Sequence, residues 1–184
     1  MNPVKILVVD KYVRAVEGGV GAAKTAGNYA ASLYAAEEAK HAGFTQVLWL
    51  DGRERKYLDE VGTMNIMLKI GDEVITPPLT SGTILPGVTR DSALTLMREW
   101  GLHVAERQVS IDEVAQAAHR GTLKEVWGTG TAAVISPVGE LAYKGERIVI
   151  NQGRIGELTQ KLYDAIVGIQ YATAPDTHGW TVPV

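Results

Sequence analysis

Residues 18–32 read GGVGAAKTAGNYAAS, a glycine-rich loop that leads through Lys24 into an apparent helix. Glycine allows loop conformations that other residues disfavour. Small neighbours also let a lysine lie close to a planar molecule, where its amine can act as a nucleophile in Schiff-base chemistry. The stretch therefore predicts that Lys24 is the reactive residue of the chain.

A phosphate-binding P-loop is a second interpretation of the same residues. Gly18, Ala23, Lys24 and Thr25 nearly match the pattern GxxxxGK[ST], and the apolar run 47–51 ends in Asp51, where a magnesium-binding aspartate would stand. The match fails at Ala23, because a P-loop wraps its N–H groups around phosphate in conformations that a Cβ disfavours. Nucleotide binding is therefore the less favoured alternative.

Five segments of the chain, the first of them within residues 18–32, follow one another in a specific order. They are KTAGNY at 24–29, EVGTMN at 60–65, TPPL at 76–79, ILPGVTR at 84–90 and GTGTA at 128–132. Together they resemble the branched-chain amino-acid aminotransferases, a group of the fold type IV pyridoxal phosphate enzymes. The resemblance implies an α+β fold, a mixed-strand pseudo-barrel with packed helices, and pyridoxal 5′-phosphate as cofactor.

The resemblance assigns three side chains to the cofactor ring. Lys24 matches the lysine that bonds to the cofactor and then moves the proton at the substrate Cα, so it is the expected catalytic residue. Glu60 matches the carboxylate that faces the pyridine nitrogen and favours its protonated form. Tyr29 matches the phenol near the cofactor O3′. Without the resemblance, Glu60 would be interpreted as a solvated acid and Tyr29 as a packing residue.

Backbone groups are assigned to the two anionic ends of the ligands. Gly87, Val88 and Thr89 match the turn that offers N–H groups to the phosphate at the start of a helix, where the helix dipole favours an anion. Thr131 and Ala132 match the turn that binds the substrate carboxylate. The resemblance also directs the Thr131 side chain at the phosphate, and Thr63 matches a neighbour of the carboxylate.

The implied reaction is the transamination of leucine, isoleucine or valine with 2-oxoglutarate, and the implied full-length enzyme is a homodimer. Neighbouring groups of the same fold aminate D-amino acids or act as lyases on aminodeoxychorismate. A non-catalytic scaffold or assembly partner that retains the cofactor motif remains a separate alternative.

Composition points to a cytoplasmic enzyme domain. The 184 residues are 46% hydrophobic, contain no cysteine and carry a net charge of −3. This composition excludes a disulfide framework and gives no electrostatic reason to expect nucleic acid or anionic membrane as a partner. The four histidines lack ligand spacing, so no metal site is expected. No apolar run approaches the roughly 18 residues that cross a bilayer.

Hydrophobic periodicity and turn residues predict the secondary structure. The predicted helices are 28–41, 90–100, 111–120 and 155–171, and Ser110 is the expected cap of the third, with Glu113 three residues later. The predicted strands are 5–9, 47–50, 64–70, 73–76, 126–127, 132–135 and a hairpin in 141–150. Because strands and helices do not alternate regularly, the pattern favours α+β over a doubly wound sheet.

Residues 1–184 are expected to form a single cofactor-binding large domain. Members of the family normally place a smaller N-terminal domain before this region, and that domain supplies an arginine to the phosphate and much of the aliphatic substrate pocket. We therefore expect poor turnover and an exposed apolar face in this chain.

Overall fold

A closed ring of six strands forms the centre of the computed structural model, which describes residues 1–182. In chain order, the first seven helices and strands are β1 Val4–Val9, α1 Ala26–His41, β2 Gln46–Leu50, β3 Leu58–Val61, β4 Met64–Ile70, β5 Glu73–Thr76 and α2 Val88–Glu99. The remaining elements are β6 His103–Glu106, α3 Ile111–His119, β7 Leu123–Gly130, β8 Val134–Tyr143, β9 Glu146–Val149 and α4 Glu157–Gln170.

The ring runs in the order β3, β2, β1, β8, β7, β4, and β4 pairs back onto β3. Strand β1 is parallel to both of its neighbours, whereas the other four pairings of the ring are antiparallel. Strands β5 and β6 extend the sheet beyond β4, and β9 pairs with β8. This arrangement confirms the α+β class and the mixed-strand pseudo-barrel.

Alternate residues of the ring strands contribute to different clusters of the core, as the period of a strand requires. In β2, Leu48 and Leu50 belong to the largest cluster, whereas Val47 and Trp49 pack with Ala35 of α1. Helix α3 adds to the same large cluster as Leu48 and Leu50. In β4 and β7, Met67 and Trp127 pack against α2 and α4 on the outside of the ring.

The four predicted helices are all present, and their ends differ by at most two residues from the prediction. Ser110 caps α3 as expected, since its hydroxyl accepts a hydrogen bond of 3.0 Å from the Glu113 N–H. Helix α2 begins at Val88 rather than Arg90. The predicted hairpin turn at Lys144 and Gly145 is also confirmed, and both residues have positive φ angles.

Two strands were not predicted, and the predicted bounds of two others were wrong. Strands β3 and β6 have four residues each and contain acidic side chains that resemble loop sequence. Strand β7 extends through Gly128 to Gly130, and β8 begins at Val134 rather than at residue 132. Glycine is required at position 128 of this strand because Met64 of β4 packs where a side chain would be; a Cβ there would lie only 2.8 Å from Met64 Cε.

In residues 1–182, no helix combines the length and the apolar character that a membrane span requires.

Candidate active site

One cavity of about 340 Å³ brings together four of the segments that the sequence singled out. Its wall is formed by the loop before α1, the β3–β4 hairpin, the start of α2 and the end of β7. The predicted site residues in this wall are Lys24, Glu60, Thr63, Gly87, Val88, Thr89 and Thr131. We call this space the Lys24 cavity.

Tyr29 lies in a smaller adjoining cavity rather than in the Lys24 cavity itself. The two cavities share Glu60, Thr63 and Leu85 in their walls. The Tyr29 side chain is partly open, with 42% of its surface exposed. Ala132 is exposed in the turn 131–133 and lines neither cavity, so its role remains a prediction.

Asn28 fixes the loop that carries Lys24. The Asn28 amide is buried and donates hydrogen bonds of 2.8 Å to the Val20 carbonyl and 2.7 Å to the Ala23 carbonyl. Lys24 itself is exposed at the mouth of the cavity. The loop thus holds the backbone next to Lys24 while leaving the amine accessible.

The P-loop interpretation does not agree with this loop. N–H groups that a P-loop would turn toward phosphate are used within the protein, for example Gly19 to Val16, Ala22 to Gly82 and Ala23 to Val20. The Asp51 carboxylate accepts hydrogen bonds from four backbone N–H groups of the following turn. These loop N–H groups are therefore not available to bind a nucleotide phosphate, and the Asp51 carboxylate is not available to bind magnesium. Among residues 1–182, no cluster of three or more metal-ligating side chains occurs.

Glu60 is a buried carboxylate with three polar partners. Its Oε1 accepts hydrogen bonds from the Leu85 N–H at 2.9 Å and from the Asn65 amide at 3.5 Å. Its Oε2 lies 3.6 Å from Arg14 Nε, a distance that makes an ion pair but exceeds a normal hydrogen bond. Burial raises the pKa of Glu60, and the Arg14 charge and the Leu85 N–H act in the opposite direction.

The neighbouring carboxyl, Asp59, is buried on the same strand. Its Oδ1 accepts a hydrogen bond of 3.2 Å from the Thr83 hydroxyl, and Arg14 donates to the Thr83 carbonyl. Burial raises the pKa of Asp59 to about 6, although Thr83 and Arg14 lower it. The charge of Arg14 therefore acts to lower the pKa of two buried acids, and no local pattern in the sequence identifies this arginine.

The start of α2 is held at a fixed distance from β4. Asn65 donates a hydrogen bond of 2.8 Å to the Leu85 carbonyl, and a Cβ at Gly87 would overlap Asn65 Oδ1. Gly87 is the N-terminal cap of α2, and no side chain caps that end within the described residues. Gly87, Val88 and Thr89 line the Lys24 cavity, so this uncapped helix start is favourable for an anion there.

Thr129 is a site residue that the sequence analysis missed, although it lay inside a quoted motif. The residue belongs to the wall of the Lys24 cavity and is 1% exposed. Within residues 1–182 its hydroxyl has no hydrogen-bond partner. An uncapped helix start and a lysine around one cavity fit a ligand that carries an anionic group and reacts with an amine.

Comparisons with known proteins agree with this geometry. The family described as Amino-transferase class IV matches residues 2–141. Over all 184 residues the chain is 56% identical to branched-chain-amino-acid aminotransferase 2 of Bacillus subtilis, and 56% identical to a probable branched-chain-amino-acid aminotransferase of Staphylococcus aureus. The chain spans about half the length of these relatives, 50% and 51%.

Solved structures give the same result. The branched-chain amino acid aminotransferase of Escherichia coli superposes with a TM-score of 0.83 at 31% identity, over 97% of this chain and 56% of that chain. A T.th. branched-chain amino acid aminotransferase complexed with N-(5′-phosphopyridoxyl)-L-glutamate superposes with a TM-score of 0.82 at 25% identity, over 97% and 55%. By fold, site geometry and sequence, the chain belongs to the class IV aminotransferases.

Proposed function

We propose that this chain is a cofactor-binding unit that holds pyridoxal 5′-phosphate at Lys24 and acts in the transamination of branched-chain L-amino acids with 2-oxoglutarate. The observation that carries the proposal is the meeting of Lys24, Glu60 and the start of α2 around one cavity. A reactive amine, a buried acid and an anion site are the three groups that this cofactor requires.

The residues of the Lys24 cavity fit the cofactor. The uncapped N–H groups at the start of α2 suit its phosphate. Glu60 suits the pyridine nitrogen, because it is an acid in the wall of the same cavity. Burial raises its pKa, while Arg14 and the Leu85 N–H act in the opposite direction. When bound, the cofactor supplies an electron sink for the pair left at the substrate Cα.

The protein residues then have separate tasks. The Lys24 amine would attach the cofactor and, once released, would take the proton from the substrate Cα and deliver it to the cofactor C4′. The Glu60 carboxylate holds the proton at the pyridine nitrogen. Thr131 and Thr63, at the cavity mouth, orient the substrate carboxylate, and Tyr29 stands in the adjoining cavity, whose wall includes Glu60.

The substrate class rests on the relatives. Two curated relatives of Bacillus subtilis, 56% and 55% identical to this chain, are branched-chain aminotransferases, and one solved relative is complexed with a phosphopyridoxyl derivative of L-glutamate. Leu85, Pro86 and Val88 are the aliphatic side chains in the wall of the cavity. We therefore expect this chain alone to turn over branched substrates slowly.

A single-turnover assay tests the proposal. The chain is mixed with pyridoxal phosphate and L-leucine, and 4-methyl-2-oxopentanoate and pyridoxamine phosphate are quantified by mass spectrometry. We expect slow, equal formation of both products at a rate above that of free cofactor, with little product from D-leucine. Lys24→Ala should reduce the rate to that of free cofactor.

Lys40→Ala is the matched control, because Lys40 is also exposed and lies at the far end of α1. It should leave the rate unchanged. If the folded wild type gave no leucine-dependent product above free cofactor, the non-catalytic scaffold would be the better account.

A further inference from the structure

Arg14 is a buried cation in the loop after β1, and its position is fixed at both ends. Its side chain is only 6% exposed. The residues on either side of it pack on Gly52, where an added Cβ would lie 2.9 Å from Val13 Cγ1 and 2.9 Å from the Ala15 carbonyl oxygen. At the other end, the guanidinium donates a hydrogen bond to the Thr83 carbonyl. The fold therefore holds one guanidinium at a defined place in the interior.

The two carboxylate oxygens of Glu60 have different surroundings beside this guanidinium. Oε1 accepts hydrogen bonds from the Leu85 N–H at 2.9 Å and from the Asn65 amide at 3.5 Å. Oε2 accepts no hydrogen bond from the described residues, and it lies 3.6 Å from Arg14 Nε. Glu60 belongs to the walls of both the Lys24 cavity and the adjoining cavity. Oε2 is thus the oxygen that retains its capacity to accept a hydrogen bond from a ligand.

Arg14 is also the cation that opposes the burial of Glu60. Burial and the neighbouring Asp59 raise the pKa of Glu60, whereas Arg14 and the Leu85 N–H lower it. Without the Arg14 charge, both the apolar surroundings and the second acid would favour the neutral form of Glu60. A neutral Glu60 would keep its own proton and would leave a nearby pyridine nitrogen unprotonated.

We propose that Arg14 is a positioning residue, which holds Glu60 as an anion so that its Oε2 accepts the hydrogen of the cofactor's protonated pyridine nitrogen. This inference rests on the proposed function. Arg14 acts through Glu60 and is not itself a catalytic residue. The competing account is that Arg14 only neutralises buried acids for folding, in which case the protonation of the bound ring would not depend on it.

The chemical shift of the pyridine nitrogen tests the inference, because it reports directly whether the ring carries a proton. It is measured by NMR at neutral pH on isotope-labelled pyridoxal 5′-phosphate bound to the folded chain. We expect a protonated ring in the wild type and a neutral ring in Glu60→Gln. Arg14→Met should move the shift at least halfway from the wild-type value to the Glu60→Gln value. Arg14→Lys keeps a cation and should restore most of the wild-type value.

Arg53→Met is the matched control for the loss of one positive charge. Arg53 lies in the exposed turn between β2 and β3, so its replacement should leave the nitrogen shift unchanged.

A second variant keeps the test independent of folding. Arg14→Met leaves two buried acids without their cation, which destabilises the protein. The double variant Arg14→Met/Asp59→Asn removes one of these acids. Asp59 lines neither cavity, and Asp59→Asn alone should keep the protonated ring. The double variant should again move the shift at least halfway toward the neutral ring.

A fully protonated ring in folded Arg14→Met and in the double variant would overturn the inference and leave Arg14 a structural cation. If the wild type binds no cofactor, the proposed function itself fails. If Glu60→Gln keeps a protonated ring, the proposed role of Glu60 fails, and the inference fails with it. The three failures are therefore distinguishable.

Discussion

At the scale of single residues, the site depends on how two adjacent buried acids are stabilised. Asp59 and Glu60 are 5% and 4% exposed, and Arg14 is the cation between them. Glu60 was predicted from the motif EVGTMN, whereas Asp59 and Arg14 were not. Acids next to a charged run resemble a solvated surface, and only the fold shows that β3 carries both into the interior.

Asp59→Asn should change how stability depends on pH. Because burial raises the pKa of Asp59 to about 6, its contribution to stability is complete below about pH 4 and is lost as the pH rises toward 6. The difference from an unfolded aspartate corresponds to about 3 kcal/mol. Relative to the wild type, the variant should therefore gain up to about 3 kcal/mol in free energy of unfolding between about pH 4 and pH 7.

Urea denaturation at both pH values measures this difference. Asparagine keeps an acceptor for the Thr83 hydroxyl, so the variant preserves the local hydrogen bond. Asp72→Asn, in the exposed turn between β4 and β5, should show no such gain. Parallel pH curves for Asp59→Asn and the wild type would refute the account of this acid.

At the scale of elements, hydrogen bonds and close packing fix the start of α2. Arg90, 3% exposed, donates hydrogen bonds of 3.0 Å to the Pro77 carbonyl and 2.8 Å to Glu106, which ties α2 to β5 and β6. On the cavity side, Asn65 holds Leu85 and leaves room only for glycine at position 87. The helix start is thus fixed from both sides.

Gly87→Ala should disturb this arrangement. The added Cβ would push Asn65 away from Leu85 and Glu60, so we expect a loss of about 1–3 kcal/mol in free energy of unfolding and weaker cofactor binding. Chemical denaturation and cofactor titration measure the two effects.

Gly27→Ala is the control for that substitution. Gly27 is in α1 with open space around it and an ordinary helical backbone, so alanine should be neutral or slightly stabilising. Equal behaviour of Gly87→Ala and Gly27→Ala would contradict the proposed packing of Gly87 against Asn65.

Element prediction from sequence succeeded where the local signal was strong. Helices α2, α3 and α4 had apolar periodicity, α3 also had the end signal of Ser110 with Glu113, and the β8–β9 hairpin had Lys144 and Gly145 at its turn. Strands β3 and β6 were missed because four residues are too few for a clear alternation and their acids suggested exposure. The end of β7 was missed because its glycines serve close packing against Met64 rather than a turn.

At the scale of the whole molecule, closure of the barrel brings the site together. Strand β1 pairs with β8, more than a hundred residues later, and β4 returns to β3 to complete the ring. Local periodicity carries no information about such distant pairings, so the barrel was expected only from the resemblance to a known family. Once the ring is closed, the loop after β1, the β3–β4 hairpin and the β7–β8 turn surround the same cavity.

The central claim is that Lys24 holds the cofactor, and covalent trapping tests it most directly. The folded chain is incubated with pyridoxal phosphate and reduced with borohydride, and the labelled peptide is identified by mass spectrometry after digestion. We predict one dominant label on Lys24, its loss in Lys24→Ala and its retention in Lys40→Ala. Labelling scattered over the exposed lysines, or no label at saturating cofactor, would contradict the claim.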